Sequence, residues 1–218
     1  MTFRTRKPRG SHSPGQECPA FRSTAGFSLT EMVVVSAIIL MITSGSYLSL
    51  QPVLKAQHVT TAYNATLMTL RRARDQAAAD MRVYVVTFAA PGTVTVTQNS
   101  PAGPVLITTI LPQDVTFHLE PGLPNSPTVA PTTPDGFGTA SNAIDFDQGV
   151  GLGGATSIYF QPDGTAVDIN GNINNGVVYM ARVGDLKSSR AITLWGTTGR
   201  IRGWRLLPNG GGVIWRQQ

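Results

Sequence analysis

The sequence predicts an α+β protein: a long N-terminal spine helix, membrane-spanning in its first half, packed through its second half against an antiparallel β-sheet head. Two observations carry this. An apolar run over residues 27–50 leads directly into a stretch rich in Ala, Leu and Arg that reaches about residue 82. Beyond Arg82 the hydrophobic period changes to two, with turn signals about every ten residues.

The length, 218 residues, allows one ordinary domain plus an appendage. Charged residues make up 13% of the chain and mean hydropathy is close to zero, which excludes a disordered tail and a polytopic membrane protein. One cysteine, Cys18, excludes an intramolecular disulfide and a cysteine-based metal site. His12, His58 and His118 are scattered and argue against a metal or catalytic cluster. The formal net charge of +5 is unevenly placed. Residues 1–26 carry Arg4, Arg6, Lys7, Arg9 and Arg22 against Glu17; residues 76–181 hold eight acids and Arg82. Residues 182–218 hold seven cations against Asp185.

Residues 1–26 are polar, basic and rich in Ser, Pro and Gly. The 24 residues Phe27 to Leu50 that follow hold a single ionisable side chain, Glu31. That is about the length a helix needs to cross a bilayer, and the flanking positive charge would keep its N-terminal end in the cytoplasm. A secretory signal predicts a shorter apolar stretch and a small-residue cleavage site, and no clean A-x-A follows here. A carboxylate within an apolar span costs a few kcal/mol, about 3 on insertion scales, so Glu31 is a functional candidate. It lies four residues after Phe27, on the same helical face. Cutting between Gly26 and Phe27 would create an α-amine able to neutralise the carboxylate of a neighbouring, staggered helix.

The run Gly26-Phe27-Ser28-Leu29-Thr30-Glu31, followed by an apolar helix, resembles the class III signal of type IV pilins and type II secretion pseudopilins. The resemblance implies cleavage after Gly26 by a prepilin peptidase, N-methylation of Phe27, and a role for Glu31 in recruitment into the filament. It implies other pilin or pseudopilin subunits and the membrane as partners, and no cofactor. The place implied is the bacterial inner membrane, with the N-terminus in the cytoplasm and the head in the periplasm, and then a pilus or pseudopilus. The leader is longer than most in the family. Its removal would take with it Cys18 and most of the net positive charge.

Over residues 51–82, Leu54, His58, Ala62, Ala65, Met68 or Leu70, Ala73 and Ala77 recur at three- and four-residue spacing, a face suited to packing on a sheet. Pro52 should kink this helix, and Gly45 weakens the stretch before it. His58 reads as packed or half-exposed. The Leu70–Val83 segment, with Arg72-Ala73-Arg74 and an Ala-rich turn, resembles the GspH/FimT branch of minor pilins and pseudopilins.

In the head, residues 83–218, strands are expected at 83–88, 94–98, 105–111, 115–119, 157–160, 177–183, 191–195, 200–207 and 212–215. Residues 121–142, rich in Pro, Thr and Gly, should form an exposed loop. The turn after Phe160 (Gln161-Pro162-Asp163-Gly164) and the closing strands again resemble the GspH/FimT head.

Three motifs touch on chemistry. Gly149-Val-Gly151-Leu-Gly153-Gly154 contains G-x-G-x-x-G, but a strand follows where a dinucleotide site needs a helix, so a loop is the better reading. Asp168, Asn170 and Asn172 begin like a calcium loop, yet Ile173 and Tyr179 stand where an EF-hand needs Gly and Glu. An Asx-rich turn is expected and no metal site. No catalytic constellation is indicated. Gly199-Arg200-Ile201-Arg202 is the third motif. Side-chain alternation puts Arg200 and Arg202 on one strand face, with Trp204 expected on the other. Arg205 and Lys187 would support the patch, and Arg190 and Arg216 could extend it. Such guanidinium groups can hold duplex DNA by its phosphates without reading sequence. The motif resembles the Gly-Arg-x-Arg of FimT-like minor pilins that bind DNA in natural transformation. The competing reading pairs these arginines with the acidic middle of the chain.

Overall fold

Helix α1 spans Leu29–Asp80 in the computed structural model, which describes residues 26–124, 134–136, 142–148 and 155–218. The leader with His12 and Cys18, most of the 121–142 loop and the glycine-rich stretch 149–154 lie outside the described residues. Glu31 sits in the first turn of α1, where a carboxylate complements the partial positive charge of a helix N-terminus. Four hydroxyls of the apolar stretch are satisfied within the helix itself. Thr43 Oγ1 donates to the Ile39 carbonyl at 2.8 Å, Ser44 Oγ to Met41 at 2.9 Å, and Ser46 Oγ to Ile42 at 2.9 Å. Ser36 Oγ likewise donates to the Met32 carbonyl. A helix built this way presents no unsatisfied hydroxyl donor at these positions to an apolar surrounding. The helix assignment continues through Pro52. It ends where Met81 takes φ 52° and Arg82 N–H reaches back to the Ala77 carbonyl at 3.2 Å, a Schellman-type stop.

By its contacts the chain falls into two compact units, residues 1–47 and 48–218. In the first, the large apolar side chains of α1 are exposed, among them Met32, Val33, Ile38, Ile39 and Ile42. This segment is long and apolar enough to cross a membrane.

Among the described residues the second unit holds ten strands: β1 (Tyr84–Ala89), β2 (Thr93–Gln98), β3 (Val105–Ile110), β4 (Ile144–Gln148), β5 (Ser157–Phe160), β6 (Ala166–Val167), β7 (Asn175–Arg182), β8 (Asp185–Trp195), β9 (Arg200–Asn209) and β10 (Gly212–Gln217). They form two five-stranded sheets, ordered β3-β2-β1-β5-β6 and β10-β9-β8-β7-β4. Every strand pairing is antiparallel. Both sheets meet the C-terminal part of α1 in one core. Val59, Ala62, Tyr63, Leu67, Leu70, Ala73 and Ala77 face Val86, Phe88, Val94 and Val96 of the first sheet. The same stripe faces Val178, Met180, Ile192, Leu194 and Ile201 of the second. A smaller cluster covers the other face of the second sheet: Leu123, Val177, Tyr179, Ala191, Leu206 and Trp215.

The α+β architecture, with a long helix against antiparallel sheets, is thus present, and several details differ from expectation. Of the anticipated helix face, Ala62, Leu70, Ala73 and Ala77 are buried and Ala65 is half-buried, whereas Leu54, His58 and Met68 are exposed and Val59, Tyr63, Thr66 and Leu67 are buried as well. The sheets widen the stripe, taking up the bulky Tyr63 and Leu67 beside the alanines. Residues 115–119 do not form a strand. Thr116 makes an isolated bridge to Ala181, with reciprocal bonds of 3.0 and 3.1 Å, and Phe117 turns its ring onto Phe88. β4 and the two-residue β6 were not anticipated: β4 alternates but is set between loop-like stretches rich in Pro, Thr and Gly, and β6 is too short to show a period. The 121–142 segment is not simply exposed. Leu123 is buried and Trp215 Nε1 donates to the Pro124 carbonyl at 2.8 Å.

Candidate functional site

β9 carries the Gly-Arg-Ile-Arg motif, and its two flanking glycines are packing positions. Gly203 faces α1, where an added Cβ would stand 1.6 Å from Tyr63 Oη. Gly199 has φ +57°, and a Cβ there would stand 2.0 Å from the Gly164 carbonyl oxygen and 3.0 Å from Arg74 Nε. The turn after β5, the motif on β9 and the Arg72-Ala73-Arg74 segment of α1, three features distant in sequence, therefore meet in one place. Only glycine admits the approach.

The pairing of β8 with β9 is regular from Arg190↔Arg205 to Trp195↔Arg200, with no bulge between. Arg200 and Arg202 share the face turned away from α1, as expected. Trp204 is on that same face and not the opposite one, as unbroken alternation requires; its Nε1 donates to Thr193 Oγ1 at 3.0 Å. Above them lies Asp135, presented by a single turn of 3-10 helix, Pro134–Gly136. Arg202 Nη1 donates to Asp135 Oδ2 at 2.7 Å and Trp195 Nε1 to the same oxygen at 2.9 Å. Thr193 Oγ1 bonds Asp135 Oδ1 at 3.1 Å. Arg200 Nη2 is 3.7 Å from Oδ2, with its guanidinium 5.4 Å from the centroid of the Trp195 ring. One carboxylate thus gathers both arginines of the motif. Asp135 was missed in the sequence because it stands in a Pro/Thr/Gly-rich loop; the Pro-Asp-Gly tripeptide signals a turn and nothing more.

Arg205 and Lys187 do not join this group. Arg205 pairs across the ladder with Arg190 on one side and Arg216 on the other, in the row with Met180. That row is on the α1 side of the sheet, so the anticipated single patch is split between two faces. Arg190 is not surface-exposed but 5% accessible, and its Nη1 donates to the Ser188 and Ser189 carbonyls at 3.1 and 2.9 Å. Burial, and secondarily the charge of Arg205, pull its pKa down to about 10.

The other candidates resolve locally. Asp168 Oδ1 accepts the Asn170 and Asn172 amides at 2.8 Å each, and Oδ2 accepts Asn172 Nδ2 at 3.1 Å. Burial works to raise its pKa, but these hydrogen bonds outweigh it and hold the carboxyl below its ordinary value. With Gly171 at φ +86° this is an Asx-type turn whose carboxylate is already engaged. His58 is half-exposed and bonds Asp114 through Nδ1 at 2.9 Å. His118 Nε2 is 3.3 Å from Glu120 Oε1, which also accepts the Gly184 amide. Gly149–Gly154 lies outside the described residues. At the other end of the chain, Gly26, Phe27 and Glu31 are all exposed at the start of α1, with Ser28 Oγ 2.7 Å from Thr30 Oγ1.

No family model and no curated protein sequence matches this chain. Among solved structures, the type IV minor pilin FimU of Pseudomonas aeruginosa is similar over 72% of this chain and 93% of its own, at 12% identity and a TM-score of 0.43. Similarity this low carries no functional inference. The functional reading rests on the chain's own residues.

Proposed function

We propose that the protein is a minor subunit of a type IV pilus or type II secretion pseudopilus, of the GspH/FimT kind. It is made as a precursor, cut between Gly26 and Phe27 by a prepilin peptidase, and N-methylated on Phe27. The observation that carries the reading is the contrast along one helix. Over its first unit α1 leaves its apolar side chains exposed, with Glu31 the sole Asp, Glu, Lys or Arg among residues 27–50; over the second it forms the spine of the head. An apolar surface of that extent needs a bilayer or neighbouring helices to cover it. Ser36, Thr43, Ser44 and Ser46, bonded back to their own helix, suit either cover. Glu31, unpaired across the bilayer interior, would be neutralised by the new α-amine of an adjacent subunit, which favours a staggered assembly. The role is structural: the helix assembles and the head presents its surface. N-terminal sequencing and intact mass of membrane-extracted protein test this. The expected product begins at N-methyl-Phe27; an intact Met1, or a terminus beyond residue 50, would overturn the reading.

A DNA receptor acting through Arg200 and Arg202 is the second reading. Arg200, half-exposed over Trp195, speaks for it. The Asp135 carboxylate stands where a phosphate would sit, so DNA would have to displace it.

A further inference from the structure

On the α1 side of the second sheet lies a cavity of about 500 Å3, bounded by Gln51, Pro52 and Lys55 of α1 and by Lys187, Arg190 and Arg205 of the sheet. Arg182 and Asp185 also line it, but they pair with each other at 3.3 Å, and Arg182 also reaches Asp114 at 3.5 Å. Four cations remain, Lys55, Lys187, Arg190 and Arg205, and among the described residues none of them has a carboxylate within 4.0 Å. Arg190 and Arg205 are directly opposed on neighbouring strands. Like charges so placed repel, and a nearly buried guanidinium without a counter-ion is costly. The Ser188 and Ser189 carbonyls occupy one nitrogen of Arg190 and supply dipoles, not charge. The Asp185 carboxylate acts on Arg190 only from beyond ion-pair distance and is itself paired with Arg182, so an anion from outside would relieve the excess positive charge.

We propose that this cavity binds a phosphate group, carried by a phospholipid headgroup or as a free anion. Guanidinium and ammonium groups converging from two elements match a tetrahedral oxyanion. The cavity exceeds what one phosphate fills, leaving room for the ester substituent of a headgroup. Gln51 and Lys55 directly follow the apolar stretch in the chain, so a lipid source fits if that stretch spans a bilayer. The free-anion source needs no such assumption, and the site is independent of Arg200, Arg202 and Asp135 on the other face.

The test uses the full chain in non-ionic detergent. Thermal unfolding is followed while inorganic phosphate, or phosphatidylglycerol in mixed micelles, is titrated at constant ionic strength. A saturable rise in melting temperature is expected with at least one probe. Lys187→Gln/Arg205→Gln, which changes exposed ends only, should weaken that affinity at least tenfold; Arg72→Gln/Arg82→Gln, with the same charge change outside the cavity, should leave it within twofold. Saturation by phosphate alone assigns the free anion, and saturation by the lipid alone assigns the headgroup. No saturable response to either probe, or equal weakening by both double variants, would overturn the proposal. Because the phosphate arm involves no processing or assembly, a failure here is distinguishable from a failure of the pilin reading.

Discussion

Asp135 is the clearest point at which to perturb the head. Its carboxylate accepts hydrogen bonds from Arg202, Trp195 and Thr193, at 2.7, 2.9 and 3.1 Å, and stands 3.7 Å from Arg200. Hydrogen bonds to a charged group contribute about 1.5–3 kcal/mol each, but the Arg202 and Asp135 side chains are 29% and 22% exposed, so water recovers part of each. Taking the Arg202 contact at about 1–2 kcal/mol and the two neutral donors at about 0.5–1 each, Asp135→Ala should lose about 2–4 kcal/mol. The loop would also come loose from the sheet, so the unfolding slope should stay near that of the parent while the midpoint falls. Urea unfolding of the full chain in non-ionic detergent measures this. A double-mutant cycle with Arg202→Gln isolates the pair and should return a coupling of about 1–2 kcal/mol. A coupling below about 0.5 kcal/mol would refute the idea that this carboxylate holds the motif.

Further outcomes follow from neighbouring contacts. Asp135→Asn removes the competing charge, so if Arg200 and Arg202 serve DNA, gel-shift affinity for duplex of any sequence should rise several-fold and fall steeply with salt; unchanged affinity would count against that reading. Gly203→Ala drives a methyl into Tyr63 and should cost about 2–4 kcal/mol in urea unfolding, recovered in part by Tyr63→Leu, whereas a neutral Gly203→Ala would mean β9 can lift off α1 freely. Arg190→Met should raise the melting temperature in phosphate-free buffer, because it removes a nearly buried cation that lacks a counter-ion. The pH dependence follows from the same residue. Its folded pKa, about 10, lies below the ordinary guanidinium value of the unfolded chain, so the unfolded state holds more protons between the two. The penalty is full below pH 10 and is relieved as pH rises above it, and the difference in stability between parent and Arg190→Met should shrink there.

Much of this molecule was legible before any coordinates. The apolar run with its single acid, the change of period after Arg82 and most of the strands are local properties, written by residue type at fixed spacing. The phase of α1 was legible only in part: Ala62, Leu70, Ala73 and Ala77 are buried as their spacing indicates, but the extent of the stripe was not, and the sheets take Val59, Tyr63 and Leu67 instead of Leu54, His58 and Met68. Nor was β4, which alternates as Ile144-Asp145-Phe146-Asp147 but stands between Pro/Thr/Gly-rich and glycine-rich stretches that read as loop, or the fate of residues 115–119, where an alternating pattern is consumed by a single bridge and an aromatic contact.

Fold class was written in the chain alone, since helix length, apolar content and the change of hydrophobic period depend only on residue type and spacing. Tertiary structure decided the chemistry of its arginines. Arg205 is five positions after Arg200, yet strand alternation sends them to opposite faces, one to an aspartate 65 positions upstream and the other to a buried arginine on the neighbouring strand. Partners that distant are chosen by sheet register and loop docking, and no local pattern encodes either.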